Sequence, residues 1–367
     1  MNRAPIPVLL MARELVLGGT ERQLAETARA LDRTRFDARV GVFYSGGARY
    51  DDLIAAGVPV VEFPVRSFRK PSLLSAAASL VRYIRKERIA LVHAFDAPLN
   101  SFAAPVTRLA GRTRVLTSAR GSRELVRSSL ERRWLGWADR MADGVVVNCL
   151  AMQRELIAAN GVEPSHIHLC YNGLDTGVFH MDRVVNRVTV IGCICGLRAE
   201  KGLDTLVRAF ARLPRDGPAA ELLLVGDGAA RPGLEALAAS LGLGGRIRIE
   251  PGTDNVVPWL HRIDIFVLPS RSEALSNSLM EAMACGCAPV ASRVGGNPEL
   301  VIDGETGLLF PAGDDEALAG SLIRLLGDDS LRRRLAAAAA RRIAAEFSLG
   351  AAARRMGEIY EAVLGAA

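Results

Sequence analysis

Apolar runs of four to eight residues alternate with segments whose apolar residues recur at helical spacing through most of this 367-residue chain, and the series runs twice. The first series of strand-like runs is 8–11, 38–43, 58–63, 89–93, 115–118, 144–148 and 167–171, with helical spacing between them in segments such as 21–31, 73–87 and 150–159. Repetition of strand, helix and strand requires right-handed crossovers, which commits the chain to an α/β architecture with mostly parallel sheets. A turn at Asn172-Gly173 and a polar stretch at 181–186 interrupt the series, which restarts with 188–195, 221–225, 246–250, 265–269 and 288–292.

The length suits two domains better than one core. The pattern predicts two Rossmann-like domains, 1–183 and 184–346, facing each other across a cleft. Segments 314–326, 331–346 and 349–364 read as Ala- and Arg-rich helices, and the closing segment 347–367 is expected to pack back toward the first domain. Ligands of open parallel sheets bind beyond the carboxyl ends of the strands, so residues just after strands are the candidates for function.

Half the residues are apolar and 23% are charged, which excludes a disordered chain. The apolar run 6–11 is broken by Arg13 and Glu14 before it reaches the length of an export signal, and it reads as a buried first strand. No run of about 18 apolar residues occurs, so no bilayer-spanning segment is expected, and the expected location is cytoplasmic, with peripheral contact at the inner face of the membrane. Six cysteines stand at 149, 170, 193, 195, 285 and 287, four of them in two Cys-x-Cys pairs. That spacing differs from the Cys-x-x-Cys of zinc and redox sites, and buried reduced thiols are expected.

The net charge of +6 is concentrated: residues 108–140 carry nine arginines (108, 112, 114, 120, 123, 127, 132, 133, 140) against Glu124, Glu131 and Asp139, and Arg82, Arg85, Lys86 and Arg88 precede them. Trp134 and Trp137 interleave with the arginines. Two readings stand open, a patch for anionic lipid headgroups or a solvated helix face. No nucleic-acid partner is expected.

The most specific segment begins at Pro269. A buried strand ends there, a polar loop carries Glu273, and a helix begins near Ser276 with Glu281 in its second turn. Backbone N–H groups of the loop and helix start, at Leu275, Ser276 and Asn277, suit a phosphate or sugar hydroxyl, and a carboxylate such as Glu281 suits two vicinal ribose hydroxyls. Glu273 and Glu281 match the Glu-x7-Glu motif of the retaining glycosyltransferase family 4 (glycosyl transferases group 1). The following Gly286-Cys-Ala-Pro-Val-Ala-Ser-Arg-Val-Gly-Gly-Asn-Pro-Glu299 and Gly304-Glu-Thr-Gly-Leu-Leu-Phe310 resemble that family's next segments. The resemblance spans the chain and is strongest over 192–311. It implies a GT-B fold, Glu281 on the nucleotide ribose and Glu273 on the donor sugar.

Gly196-Leu-Arg-Ala-Glu-Lys-Gly202 follows a strand, and its Arg198 and Lys201, three residues apart, can converge on one diphosphate. The family has a matching Arg and Lys. Cations placed on a departing diphosphate stabilise its charge without a metal. No Asp-x-Asp motif stands at a suitable strand end, and neither a metal nor another cofactor is expected.

In the first half, Leu17-Gly18-Gly19-Thr20-Glu21-Arg22 lies between a strand and a helix, where glycines admit a phosphate close to backbone N–H groups, and it matches the family's glycine loop. Glu21 reads equally as a favourable first-turn carboxylate. Gly226-Asp-Gly228 lacks the third glycine of a dinucleotide fingerprint, since Arg231 stands there, which disfavours NAD; the family has a similar turn beside the nucleotide. Residues 253–256 are candidates for the base pocket. Many members carry His-x-His after the fourth strand, whereas this chain reads His93-Ala-Phe95-Asp96. His93 or Asp96 is therefore the candidate contact to sugar or acceptor.

The resemblance implies transfer of a sugar, with retention, from a nucleotide diphosphate sugar to a glycan or lipid-linked acceptor. Two rivals remain: an epimerase or phosphorylase on the same fold, and a non-catalytic sugar-nucleotide-binding subunit.

Overall fold

A computed structural model describes residues 4–16, 18–65, 72–121, 128–182, 184 and 187–365. Leu17 of the glycine turn, Arg123, Glu124 and Arg127 of the basic stretch, and the expected boundary at residue 183 lie outside the described residues. The chain divides into two compact units, Met1–Gly173 with Leu349–Ala367, and Leu174–Ser348.

The first unit is built on strands β1 (Ile6–Ala12), β2 (Phe36–Val42), β3 (Val60–Glu62), β4 (Leu91–Ala94), β5 (Arg114–Ala119), β6 (Gly144–Val147) and β7 (Ile167–Leu169). All pair in parallel, in the order β3-β2-β1-β4-β5-β6-β7. The strand order reverses beside β1, which pairs with both β2 and β4, so the carboxyl ends of β1 and β4 flank the place where such sheets bind ligands. Every residue of β4 and β6 is buried, which explains why their sequences read as unbroken apolar runs. Helices α1 (Gly19–Ala30), α2 (Ala48–Ala55), α3 (Ser72–Lys86), α4 (Ala97–Leu109), α5 (Ser129–Met141) and α6 (Leu150–Asn160) make the crossovers.

The second unit repeats the plan with β8 (Thr189–Ile194), β9 (Ala220–Val225), β10 (Ile247–Glu250), β11 (Ile265–Leu268), β12 (Ala288–Ser292) and β13 (Leu308–Phe310), parallel in the order β10-β9-β8-β11-β12-β13. Its helices are α7 (Leu203–Ala211), α8 (Arg231–Ser240), α9 (Val257–Leu260), α10 (Asn277–Ala284), α11 (Asn297–Leu300), α12 (Asp315–Gly327) and α13 (Asp329–Glu346). Asp314 and Asp328 cap α12 and α13, accepting from Ala317 N–H and Leu331 N–H at 2.8 Å each.

The unit boundary falls at Gly173–Leu174, before the expected residue 183, and hydrogen bonds account for the difference. The Gln23 side chain of α1 both donates to the Gly173 carbonyl and accepts from its N–H, each at 2.9 Å. Beyond that point Leu174 N–H donates to Phe347 O (2.9 Å) and Val184 N–H to His261 O (3.1 Å), both at helix ends of the second unit.

The last helix, α14 (Leu349–Gly365), belongs to the first unit. Met356, Ile359, Tyr360 and Val363 join the core formed by Val8, Leu10, Leu24 and Phe36. Tyr360 packs edge-on against Phe36, with centroids 5.8 Å apart, and its hydroxyl lies 2.8 Å from His93 Nδ1. Burying a phenol and an imidazole is tolerable only because each satisfies the other. Tyr360→Phe should therefore leave the ring nitrogen unpaired and cost the first unit about 1–3 kcal/mol, read as a lowered urea midpoint.

Candidate active site

In the second unit the loop after β8 and the loop after β11 fold as one body. Gly202 is left-handed, at φ 62°, and a Cβ there would stand 2.2 Å from the Pro269 carbonyl oxygen, so only glycine admits this approach. Arg271 fastens the contact. Its N–H donates to Glu200 O (2.8 Å) and its guanidinium to Ala199 O (2.7 Å) and both oxygens of Asp204 (2.8 and 2.9 Å).

The consequence is that Lys201 meets Glu273: Nζ to Oε1 is 2.5 Å, and both side chains are largely buried. Ser270 Oγ donates to the same carboxylate oxygen at 2.7 Å. Arg198 is exposed and paired with Glu200 at 2.7 Å. Neither cation is single: exposed Arg198 and largely buried Lys201 each have a carboxylate partner. Residues 292–297 brace the Glu273 loop from behind. Gly295, at φ 52°, lies against the Glu273 carbonyl, where a Cβ would be 1.8 Å away, and Gly296 N–H donates to Ala274 O (2.7 Å). Buried Asn297 donates to Ser292 O (3.0 Å), and Ser292 Oγ donates to Ser270 O (2.6 Å).

Helix α10 begins where expected. Ser276 is its N-cap, accepting weakly from Leu279 N–H at 3.4 Å, so its hydroxyl serves the helix. Leu275 is buried, Asn277 half-buried, and Glu281 sits buried in the second turn with 7% exposure. Burial of a carboxylate in an eight-residue helix is costly unless hydrogen-bonded, which marks Glu281 as more than a solvated helix residue.

Gly226 has a structural role that needs no ligand. At φ 155° it lies against the Cys195 carbonyl, which a Cβ would approach to 1.9 Å, and Gly228 lies likewise against Leu197 O. The Gly-x-Gly turn thereby seats the backbone that carries Arg198. This packing supports the loop after β8 whether or not Gly226 also lies beside the donor. Thr253 Oγ1 accepts from Asn255 N–H (3.2 Å), and residues 253–256 form an exposed turn after β10.

In the first unit, the assignment of His93 to a sugar is corrected. The side chain is fully buried, with Nδ1 on Tyr360 Oη and Nε2 on Ser118 Oγ, both at 2.8 Å. Both ring nitrogens are spent inside the core, and burial holds the imidazole well below its ordinary pKa, hence neutral. Asp96 stands two positions beyond β4 as the N-cap of α4, accepting from Leu99 N–H (2.9 Å) and Arg13 N–H (2.7 Å). It lines a cavity of about 260 Å³ with Thr20, Asn100, Ser118 and Arg120. Desolvation there pushes its carboxyl up to about 6, against those two N–H groups, and Glu21 adds to the rise.

Arg120, read in the sequence only as one of a run of arginines, is the residue of this cavity that pattern alone missed. Its guanidinium stacks over Phe95 at 4.6 Å and donates to Asn172 Oδ1 at 3.0 Å. Among the described residues no carboxylate pairs with it, and its buried Nε has no hydrogen-bond partner. Gly18 is the N-cap of α1, packed so that a Cβ would meet Glu21 Oε2, with Gly19 the first residue of the helix and Thr20 on the cavity wall.

The cysteines are free thiols, five buried and Cys195 partly so. On α5, Leu130, Trp134 and Trp137 are exposed, and the indoles meet edge to face at 5.0 Å. Among the described residues no helix is long and apolar enough to cross a membrane, and no cluster of three His, Cys, Asp or Glu side chains is placed to hold a metal ion.

Two parallel Rossmann-like sheets, each with its polar loops at the carboxyl ends of the strands, define the GT-B class. Consistent with this, the crystal structure of Anabaena Alr3699/HepE in complex with UDP-glucose superimposes with a TM-score of 0.84 over 97% of this chain and 100% of that one, at 23% identity. Residues 185–342 match the family model for glycosyl transferases group 1, and residues 17–178 that for Glycosyltransferase Family 4. The chain belongs to the group 1 glycosyltransferases.

Among curated relatives, the lipopolysaccharide core biosynthesis glycosyltransferase LpsE of Rhizobium meliloti is 38% identical over 148 residues, 40% of this chain and 42% of the relative. The D-inositol 3-phosphate glycosyltransferase of Thermomonospora curvata is 31% identical over 248 residues, 60% of this chain and 57% of the relative. The chain thus spans between about two fifths and three fifths of the length of these relatives.

The raised Asp96 pKa has a definite sign in stability. Its contribution is present below the ordinary 3.8 and is lost as pH rises through about 6. Asp96→Asn keeps a capping side chain but takes up no proton. Its unfolding free energy, measured by urea titration, should fall more steeply than that of the wild type as pH drops from 6 to 4.

Proposed function

We propose that the protein transfers a sugar, with retention of configuration and without a metal, from a nucleoside diphosphate sugar to a glycan or lipid-linked acceptor. The observation that carries this reading is the fused pair of loops in the second unit, which fixes Lys201 and Glu273 at 2.5 Å beside Arg198 and ahead of α10. Solved neighbours of the same fold hold UDP and UDP-glucose. That favours a nucleotide sugar as the donor here, with Glu281 on the ribose and Glu273 on the sugar.

Breaking the glycosyl phosphate bond builds negative charge on the leaving diphosphate. Arg198 and Lys201 would stabilise that charge, each contributing about 3 kcal/mol in the transition state. The leaving oxygen would then take the proton of the acceptor hydroxyl as the new bond forms on the same face of the sugar. Glu273, held by Lys201 and Ser270, suits orientation of sugar hydroxyls.

For the acceptor we favour the cavity of the first unit. Arg120, a cation with no carboxylate against it, suits an acceptor that carries phosphate or carboxylate, and Asp96 suits its hydroxyls. An envelope glycan or glycolipid fits that description, and LpsE is named for lipopolysaccharide core biosynthesis. The exposed Leu130, Trp134 and Trp137, with Arg133 between them, suit contact with the anionic inner face of a membrane. Sedimentation with anionic liposomes should be lost in Trp134→Ala/Trp137→Ala.

A thermal-shift screen of UDP, GDP, ADP and TDP sugars tests the donor. One base should stabilise the protein, Glu281→Ala should abolish the shift, and Lys201→Ala should lower kcat by about a hundredfold or more. Stabilisation by none of the four would remove the reading. Product analysis separates transfer from epimerisation or phosphorolysis, since a transferase releases nucleoside diphosphate only as an acceptor gains sugar.

A further inference from the structure

The strand that carries the phosphate-binding loop ends in two thiols that the proposed chemistry does not use. Cys193 and Cys195 lie on the same side of β8 and its extension, since side chains two apart on a strand share a face, and their sulfurs are 3.7 Å apart. Cys193 is fully buried, whereas Cys195 is partly accessible and immediately precedes Gly196. The sequence alone gives both as buried reduced thiols, and the structure leaves Cys195 partly accessible.

We propose that Cys193 and Cys195 are a peroxide-sensitive dithiol, in which Cys195 is the attacked residue, Cys193 resolves it, and the resulting disulfide disables the neighbouring phosphate loop. The last clause rests on the donor reading above; the chemistry of the pair does not.

The electrostatics favour this division of labour. The hydrogen bond between the two sulfurs, in which either can be the donor, draws the Cys195 thiol below its ordinary value, with Lys201 and Arg198 acting in the same sense and burial and Glu273 against it. Cys193 is pushed the other way, by that same hydrogen bond and by burial. Burial instead pushes Cys170 up to about 11 and Cys285 to about 12, so the thiols at those positions stay protonated. A partly accessible thiol lowered below its ordinary value, with a second thiol 3.7 Å away, is the environment that makes a cysteine reactive.

The step balances. The Cys195 thiolate attacks hydrogen peroxide, an S–O bond forms, the O–O bond breaks, and hydroxide leaves to be protonated to water. The Cys193 sulfur then displaces the sulfenic oxygen, which departs as a second water with the thiol proton. Two thiols lose two electrons and two protons, and one peroxide becomes two waters.

The bond is geometrically accessible but not relaxed. Residues two apart on a strand have Cα atoms about 6.6 Å apart, near the upper end of the disulfide range. Closure must therefore pull on the backbone at Cys195, and strain of this kind keeps such a bond reducible. That backbone has little room. The Cys195 carbonyl is wedged against Gly226, its N–H donates to Val225 O at 3.1 Å, and Arg198 and Lys201 follow within six residues.

The test uses the whole protein, treated with hydrogen peroxide, alkylated, digested and weighed. The expected product is a peptide containing both residues that is two hydrogens lighter and carries no alkyl group, restored by dithiothreitol. In Cys193→Ser the reaction should stop at sulfenic acid, trapped by dimedone at Cys195, and in Cys195→Ser neither product should form. Two alkylatable thiols surviving at 193 and 195 under peroxide would overturn the proposal, as would an unchanged oxidation pattern in Cys195→Ser.

Coupling to the phosphate loop is read separately. Thermal stabilisation by the nucleoside diphosphate that binds the reduced protein should be lost on oxidation and return with dithiothreitol. A disulfide that forms and leaves the stabilisation intact would sink the coupling. If no nucleoside diphosphate stabilises even the reduced protein, it is the donor reading that fails, while the mass measurement still decides the dithiol.

Discussion

The candidate site depends on one close approach, the Gly202 backbone seated against the carbonyl of Pro269. It joins the loop after β8 to the loop after β11, and that junction is what brings a lysine and a glutamate from positions 72 residues apart to a shared hydrogen bond. A mostly buried ion pair of this kind is poor evidence for stability, because desolvation of both charges offsets their attraction. It is better evidence for placement. A lysine fixed before any ligand arrives loses little freedom when a phosphate competes for it, and fixed charge is what makes electrostatic catalysis effective. The glycines at 226, 228 and 295 serve the same end, each removing a Cβ from a backbone crossing so that the loops can stack.

The first unit uses its buried polar groups differently. His93, Tyr360 and Ser118 form a closed chain of hydrogen bonds in the core, which spends the histidine on holding α14 to the sheet. The open polar surface lies one turn further along, where Asp96 and Arg120 line a cavity with opposite electrostatic histories. One is an acid whose burial favours its neutral form; the other is a guanidinium held by Phe95 and Asn172, with no carboxylate against it among the described residues. On the reading proposed above, such a cavity would receive the hydroxyls and anionic group of an acceptor.

Much of this was legible in the residues. Both parallel sheets follow from the alternation of apolar runs with helical spacing, and β12 and the start of α10 fall at or within a residue of where the pattern places them. Strand β13 is not among the apolar runs of the sequence, although β3 and β7 are equally short. Composition marks the polar stretch near 183, whereas the two compact units meet at Gly173–Leu174, where Gln23 holds Gly173 from 150 positions away and leaves no local trace. The same reason hides the partners of the site. Nothing in Gly196–Gly202 announces Glu273 as the counterion of Lys201, and nothing near Arg271 announces Asp204. Likewise His93 looked like a ligand because it ends a strand; only the distant Tyr360 shows it to be spoken for.

The central claim is that the second unit grips a nucleoside diphosphate with the Arg198–Lys201 loop while Glu281 holds the ribose. Crystals soaked with the stabilising nucleotide measure this directly. The account predicts phosphate oxygens at hydrogen-bond distance, about 3 Å, from Lys201 Nζ and the Arg198 guanidinium, with both ribose hydroxyls on Glu281. A bound nucleotide that leaves Lys201 on Glu273 alone, Arg198 on Glu200 and Glu281 out of reach would contradict it.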